Sequence, residues 1–471
     1  MNSPQSRLAQ IDSPLEAELY EVQRTIYPRA VSGRFASWRV AMVLATQFVY
    51  YGGPWFTWND RQAVLFDLAA RKFYIFGVVF WPQDFILLTA LLVISALALF
   101  LFTAIAGRLW CGFACPQTVY TEIFMWIERR IEGGHLARMK LDRQGLLVRK
   151  FLLKGAKHGT WISLSLWTGF TFVGYFTPIR TLLAEVAAFG LGPWETFWIL
   201  FYGFATYGNA GWMREQVCKY MCPYARFQSV MFDSDTLVIA YDERRGEPRG
   251  ARSKSADHQA AGLGACVDCG ICVQVCPTGI DIRKGLQYEC IGCAACIDGC
   301  NQVMDKMGYR RGLIRYSTEN ALRGGYVERD IVRRVARPRT LVYGAILCAV
   351  VAALVVALAL RVPLKVDVIR DRAALTRETA DGLLENVYRL QIMNTTEQPR
   401  RFAITATGIE GLRLIAQQPV TVPATGALTL PVALRVASGS ASPGSHPVRF
   451  HIEDSLDARI MADEKSVFYV R

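Results

Sequence analysis

The chain has 471 residues, 52% of them hydrophobic, and a formal net charge of +13. That length holds two or three domains. The basic excess sits beside apolar segments rather than on one soluble face, which argues against nucleic acid as a partner. Twelve of the 13 cysteines fall in two stretches and none lies after residue 348, a distribution that suits metal ligation in a reducing compartment better than a disulfide scaffold.

Residues 1–37 are polar, lack the apolar core of a cleavable signal peptide, and predict a cytoplasmic N-terminal segment. Residues 38–212 predict a membrane domain of four helices joined by a basic cytoplasmic loop. Segment 85–106 has no charge and can cross a bilayer core of ~30 Å at ~1.5 Å per residue. Segments 159–179 and 194–212 are weaker but carry aromatics near their ends, and 40–56 is the shortest and contains Gln47. Residues 73–81 are too short to cross and predict an interfacial or re-entrant turn leading into Pro82 and Asp84. The loop between the second and third crossings holds ten basic and four acidic residues, whereas the loop after the third has Arg180 alone as a basic residue. Cytoplasmic loops hold the excess of Lys and Arg, so this loop, the N-terminus and residues 213–339 are placed inside, and the tail after Arg361 outside.

Cys111 and Cys115 precede Pro116, and Cys218 and Cys222 precede Pro223 in the same spacing. An i, i+4 pair shares a helix face, here at the cytoplasmic end of an inward-running crossing, with proline disrupting the helix just beyond. Soft thiolates select Cu(I), Zn or iron-sulfur centres, and two matched pairs predict one four-thiol site. A single cysteine would read as a small residue packed between helices. Arg108, Lys219 and Arg226 would lower the thiol pKa values. Glu122 and Glu128 are expected as solvated charges at the boundary, with a proton relay as the rival reading. His158 reads as an interfacial histidine satisfied by water or backbone, with copper or quinone contact as the rival, and His135 and His258 as surface residues.

Residues 213–339 form the second cytoplasmic segment. Residues 244–264, rich in Arg, Gly, Ser and Ala, predict a mobile linker, and 262–305 are the core of a bacterial-ferredoxin-like domain. Cys266, Cys269, Cys272 and Cys276 make C-x2-C-x2-C-x3-C-P, and Cys290, Cys293, Cys296 and Cys300 repeat the spacing. Three thiolates on one loop hold three corners of an iron-sulfur cube and the other motif supplies the fourth, which assigns Cys266, Cys269, Cys272 and Cys300 to one 4Fe-4S cluster and Cys290, Cys293, Cys296 and Cys276 to a second. Zinc sites rarely use three evenly spaced cysteines and a distant fourth, twice over. Gly270, Gly279, Gly292 and Gly299 suit the tight turns around a cube, and Asn301 stands where a simple bacterial ferredoxin has proline. No nucleotide signature accompanies the motifs, so electrons come from a separate donor.

Residues 340–361 predict a fifth transmembrane helix, with Cys348 as a small side chain facing lipid or a neighbour. The fold class is thus a multi-domain, polytopic α-helical membrane protein of about five transmembrane helices, with the lipid bilayer as a partner. Residues 362–471 predict strands at 364–369, 387–393, 402–407, 412–416, 428–436, 448–452 and 467–470, a C-terminal immunoglobulin-like β-sandwich serving as a periplasmic docking module or passive cap.

WPQDF, CGFACPQTVYTEIFMWIER, RKFLLKGAKH, CKYMCPYARFQSVMFD, YDERRGEPRG and CNQVMDKMGYRRGLIRYST together resemble the cytochrome c oxidase accessory proteins of the CcoG or FixG family, from about residue 20 to the end. The resemblance implies a bacterial inner-membrane protein with two 4Fe-4S clusters, acting in assembly of cbb-type oxidases and reducing Cu(II) to Cu(I) for the oxidase copper centre. Cys111, Cys115, Cys218 and Cys222 become the copper-handling candidates, copper ions the substrate or transient ligand, and oxidase subunits or assembly factors the partners. The electron donor is a cytoplasmic carrier or a quinol. Two rivals remain: a quinol dehydrogenase of NapH type, with His158 or Gln47 near a ring pocket, and an assembly scaffold whose clusters are structural or sensing.

Overall fold

The computed structural model of the protein describes residues 26–145, 147–255, 260–324, 328–371 and 375–470; residues 1–25 of the N-terminal segment, and His258, lie outside them. Among the described residues two helices are long and apolar enough to cross a bilayer, Pro82–Ala106 and Pro338–Ala359. They pack against each other and run antiparallel. Arg361 reaches Asp84 at 2.7 Å at one end, and Arg337 donates to the Ala104 carbonyl at 2.6 Å at the other. The other three expected crossings fall on the helices Arg34–Gly52, Val148–Val173 and Pro193–Thr206. These are more polar or shorter: the first carries Arg39 and Gln47, the second opens on Arg149, Lys150, Lys154 and Lys157, and the third has 14 residues before it widens into π-helical turns at Tyr207–Met213 and Val217–Met221. Cys348 is exposed on the helix Pro338–Ala359.

Residues 73–81 do not form a re-entrant turn. Lys72–Ile75 pairs antiparallel with Val64–Asp67 and with Val78–Phe80. The reason is period-two alternation: Tyr74 and Val79 turn inward to join Leu65, Trp81 and Met393, while Ile75 and Val78 stay exposed. Met393 belongs to the C-terminal sandwich, so this small sheet is a platform on which the sandwich sits. Arg61 pairs with Glu397 at 2.9 Å, and Gln83 donates to Asp367 at 2.7 Å.

In the sandwich, one sheet runs Arg413–Ile415, Ala427–Ala437, Leu383–Asn394, Leu364–Arg370, with Arg377–Glu378 also pairing Leu383–Asn394; the other runs Val420–Val422, Arg400–Thr407, Gly444–Asp454, Met461–Val470. Tyr388, Ile392, Phe402, Leu434, Phe450 and Phe468 fill the space between them. All seven expected strands are present. Arg377–Glu378 and Val420–Val422 have two and three residues, too few to show alternation in a sequence.

The cysteine-rich segment folds on the helix Ala295–Met307 and on an antiparallel pair, Val238–Tyr241 with Ile314–Ser317. Asn301 lies inside that helix and accepts a bond from the Gly312 amide at 3.0 Å, so the asparagine ties down the following loop where a proline could not. The described part of 244–264 is not a free linker. Its backbone runs beside the first cysteine motif, with Ala265 donating to the Arg245 carbonyl at 2.8 Å, and Arg252 donating to the carbonyls of Gly264 and Cys266 at 2.7 and 3.2 Å. A β-carbon on Gly264 would stand 2.4 Å from the Gly246 carbonyl carbon, so this glycine serves close packing.

Candidate functional site

Among the described residues, no three His, Cys, Asp or Glu side chains converge where a single metal ion would sit. The thiols of the cysteine motifs instead line two cavities. Cys266, Cys269, Cys272 and Cys300 line one, with Met304, Leu313 and Ile314 as its apolar walls. Cys276, Cys290, Cys293 and Cys296 line the other with Ile239, Ile280 and Ile282, and Cys272 borders both. Each ring combines three thiols of one motif with the last of the other. Four soft donors around an apolar space fit an iron-sulfur cube.

Left-handed residues flank the middle cysteine of each motif: Asp268 and Gly270 around Cys269 at φ of 50° and 65°, Gly292 and Ala294 around Cys293 at 70° and 60°. The turns therefore use one non-glycine each, a strain that spacing alone does not reveal. Gly299 has another role: it lies in the helix Ala295–Met307, where a β-carbon would stand 3.1 Å from Ile271. Burial pushes the Cys272 thiol up to about 11 and those of Cys290 and Cys300 up to about 12, so taking up iron displaces protons here.

The two C-x-x-x-C-P motifs differ from the single helix faces expected of them. Cys111 lies on the short helix Leu109–Phe113, whereas Cys115 is the residue that caps a new helix, Pro116–Ile131. Cys218 lies in the π-helical turn Val217–Met221, and Cys222 caps Pro223–Met231. Each proline starts a helix rather than disrupting one, because its missing N–H is no loss at the first helical position. The single four-thiol metal site expected of the two motifs is not formed among the described residues, although Cys115, Cys111 and Cys222 all act electrostatically on Cys218. For Cys111, Cys115 and Cys218 the shift is opposite to the expected lowering. Burial pushes Cys111 up to about 11 and Cys218 up to about 12, against a smaller opposite pull from Arg108. Burial also raises Cys115, against the amides of Gln117 and Thr118. Cys111 donates to Gln228, a fully buried side chain, at 3.3 Å.

This thiol group abuts the second cavity. Cys111 and Cys218 pack on the cluster of Val275, Ile291, Cys293 and Ala295. A β-carbon on Gly112 would stand 2.7 Å from the Cys293 and Gly292 backbone, so only glycine lets the two motifs touch. Arg39, Glu122, Cys218 and Cys293 share the cavity between them. Arg39 was hidden at the edge of an apolar run, and its lone charge there was the only signal.

Glu128 is not a solvated charge. It is buried, 2.8 Å from Arg138 and 2.5 Å from Arg214, with Lys157 at 3.7 Å. Glu122 is half-buried and 3.6 Å from Arg129. His158 is half-buried, with Nδ1 3.0 Å from the Tyr207 hydroxyl and its ring stacked on Trp212; a tyrosine hydroxyl thus partners Nδ1. His135 is half-buried at the start of the helix His135–Arg143.

Residues 213–319 match a family described as a 4Fe-4S dicluster domain, 88–133 a 4Fe-4S binding domain, and 354–471 the "IG-like fold at C-terminal of FixG". The chain is 38% identical over 453 residues to the protein RdxA of Cereibacter sphaeroides, covering 93% of this chain and 95% of that one. It is 40% identical over 422 residues to the nitrogen fixation protein FixG of Rhizobium meliloti, covering 83% and 80%. It is also 24% identical over 311 residues to the ferredoxin-type protein NapH of Haemophilus influenzae, covering 59% and 91%. Iron-sulfur domains, an immunoglobulin-like tail and near-complete overlap with two such relatives together mean that the chain belongs to the FixG family of 4Fe-4S ferredoxin-type electron-transfer proteins.

Proposed function

We propose that the protein crosses the bacterial inner membrane five times, with its iron-sulfur domain on the cytoplasmic side and its immunoglobulin-like domain in the periplasm. The antiparallel apolar helix pair and the basic loop of residues 107–158 support that reading. Cys266, Cys269, Cys272 and Cys300 hold one 4Fe-4S cluster, and Cys290, Cys293, Cys296 and Cys276 the other. When bound, these groups supply one-electron redox capacity. The chain's own residues hold them, bury Cys293 of the second site and keep that site beside Cys111 and Cys218.

The activity is reduction of Cu(II) to Cu(I) for assembly of a cbb-type oxidase. The observation that carries it is the contact of Cys111 and Cys218 with the second cluster cavity. Each Cu(II) takes up one electron and leaves as Cu(I), and soft thiolates favour the reduced ion. Replacing Cys218 and Cys222 by Ser is expected to abolish Cu(I) formation, read with a chelating dye on chemically reduced protein, while iron content stays at the wild-type level. Full activity in that double variant would sink the copper assignment.

The second reading, a quinol dehydrogenase, is favoured by His158, bonded to Tyr207 and enclosed by Trp161 and Trp212. It expects a quinol analogue to reduce the iron-sulfur groups of wild type and not of His158→Ala, with Cu(II) leaving them reduced.

A further inference from the structure

Two buried arginines distinguish one thiol cavity from the other. Arg39, on the helix Arg34–Gly52, is 9% exposed, borders the same cavity as Cys293 and Cys218, and has an Nε with no partner. Arg108, just after the helix Phe85–Ala106, is 5% exposed and borders a space with Cys290 and Gly292. It donates to the Tyr288 and Ala225 carbonyls, and its Nε is likewise unpartnered. The carboxylates in the field of Arg39 are Glu122 and Asp298, and Asp298 is already engaged by the Phe35 and Ala36 amides at 3.4 and 2.7 Å.

In the other cavity the lining cation is ion-paired. Arg283 is held by two carboxylates, Asp268 at 2.5 Å and Asp281 at 2.7 Å, and Asp268 also has Arg249 at 3.8 Å. Cys269 on that side is exposed to solvent, whereas Cys293 is buried. Reducing a 4Fe-4S group adds one negative charge, which buried cations stabilise and flanking carboxylates oppose, and the difference is largest where water is excluded.

Resting on the ligand assignment proposed above, we infer that Arg39 and Arg108 are positioning residues that give the Cys276, Cys290, Cys293 and Cys296 site the higher reduction potential. A single electron shared between the two sites therefore settles beside Cys111 and Cys218. In that exchange one electron is lost at the Cys269 side and gained at the Cys290 side; no bond breaks and no proton moves. The chain thus fixes a direction, from the exposed cysteine motif inward to the paired thiols.

The test is a potentiometric titration followed by electron paramagnetic resonance, on full-length protein in detergent with iron and sulfide content measured first. Two separated one-electron couples are expected, the higher altered by Cys290→Ser and the lower by Cys269→Ser. Arg39→Gln and Arg108→Gln should each reduce the reduced fraction of the higher couple at least tenfold at fixed poise, ~59 mV for one electron, leaving the lower couple in place. Arg39→Lys, which keeps the charge, should stay near wild type. Coincident couples in the wild type, or a higher couple altered by Cys269→Ser, would overturn the inference even if a glutamine variant lost iron. So would unchanged potentials in both glutamine variants. If Cys269→Ser and Cys290→Ser alter the same couple, the ligand assignment is what fails, and the inference falls with it.

Discussion

Asp454 ends the strand Gly444–Asp454 almost fully buried, with the Arg400 guanidinium 2.6 Å away. Burial would raise its pKa, but the Leu456 amide and Arg400 outweigh burial and hold the carboxyl below its ordinary value. A carboxyl depressed on folding contributes stability that is present above its unfolded pKa of ~4 and lost as pH falls through the folded value. The sandwich is therefore expected to weaken below about pH 4. Arg400→Met should cost on the order of 3 kcal/mol at neutral pH, because a buried carboxylate loses its counter-charge, and further acidification should then cost the variant less than the wild type. Hydrogen exchange of the Gly444–Asp454 amides at the two pH values checks both; equal exchange in variant and wild type would refute the pairing. At this scale the cysteines were legible because ligand spacing is local. Glu128 was misread because its partners Arg138, Lys157 and Arg214 come from separate segments, and no window of sequence contains all four.

The helix Leu109–Phe113 touches the second cysteine motif backbone to backbone. The atoms that a β-carbon on Gly112 would meet are backbone, Cys293 Cα and N and the Gly292 carbonyl carbon, all at 2.7 Å. Backbone cannot swing aside as a side chain can, so Gly112→Ala has to part the helix from the loop or distort the loop. The expected outcome is loss of one of the two iron-sulfur groups, about half of the iron by analysis, while the resonance of the group on the Cys269 side persists. Full iron content with both resonances intact would show that the contact tolerates a methyl group. The sequence announced the thiols but not this contact, since a glycine within C-x-x-x-C reads as spacing. Residues 73–81 show the same limit: a short apolar run serves equally as an interfacial turn or a strand pair, and only its partners, Leu65 and the distant Met393, decide. The cysteine pairs were expected on continuous helices because i, i+4 spacing suits one; the prolines that restart each helix move Cys115 and Cys222 to caps, so the four thiols belong to four elements rather than two helix faces.

Over the whole molecule, the pair Phe85–Ala106 and Pro338–Ala359 separates two ends by about 33 Å for 22 residues at ~1.5 Å each. The iron-sulfur domain is fastened at one end through Arg337, Thr236 and Ala104, and the sandwich at the other through Asp84. Asp84 is buried and takes both Arg361 and Lys365, while also accepting the Trp81 amide at 3.0 Å. One carboxylate thus ties the end of the first long helix, the end of the last and the first strand of the sandwich. Asp84→Asn keeps the shape but leaves two cations facing a neutral amide in a poorly hydrated place. The sandwich should stay folded on its own core and lose its fixed seat on the small sheet of residues 64–80. Limited proteolysis around residues 360–363 is then expected to accelerate by on the order of a hundredfold, the equivalent of ~3 kcal/mol, while the iron-sulfur resonances and their potentials remain those of the wild type. A change in those potentials would mean instead that the helix pair transmits the state of the sandwich to the cysteine motifs, making the tail a regulator rather than a docked module.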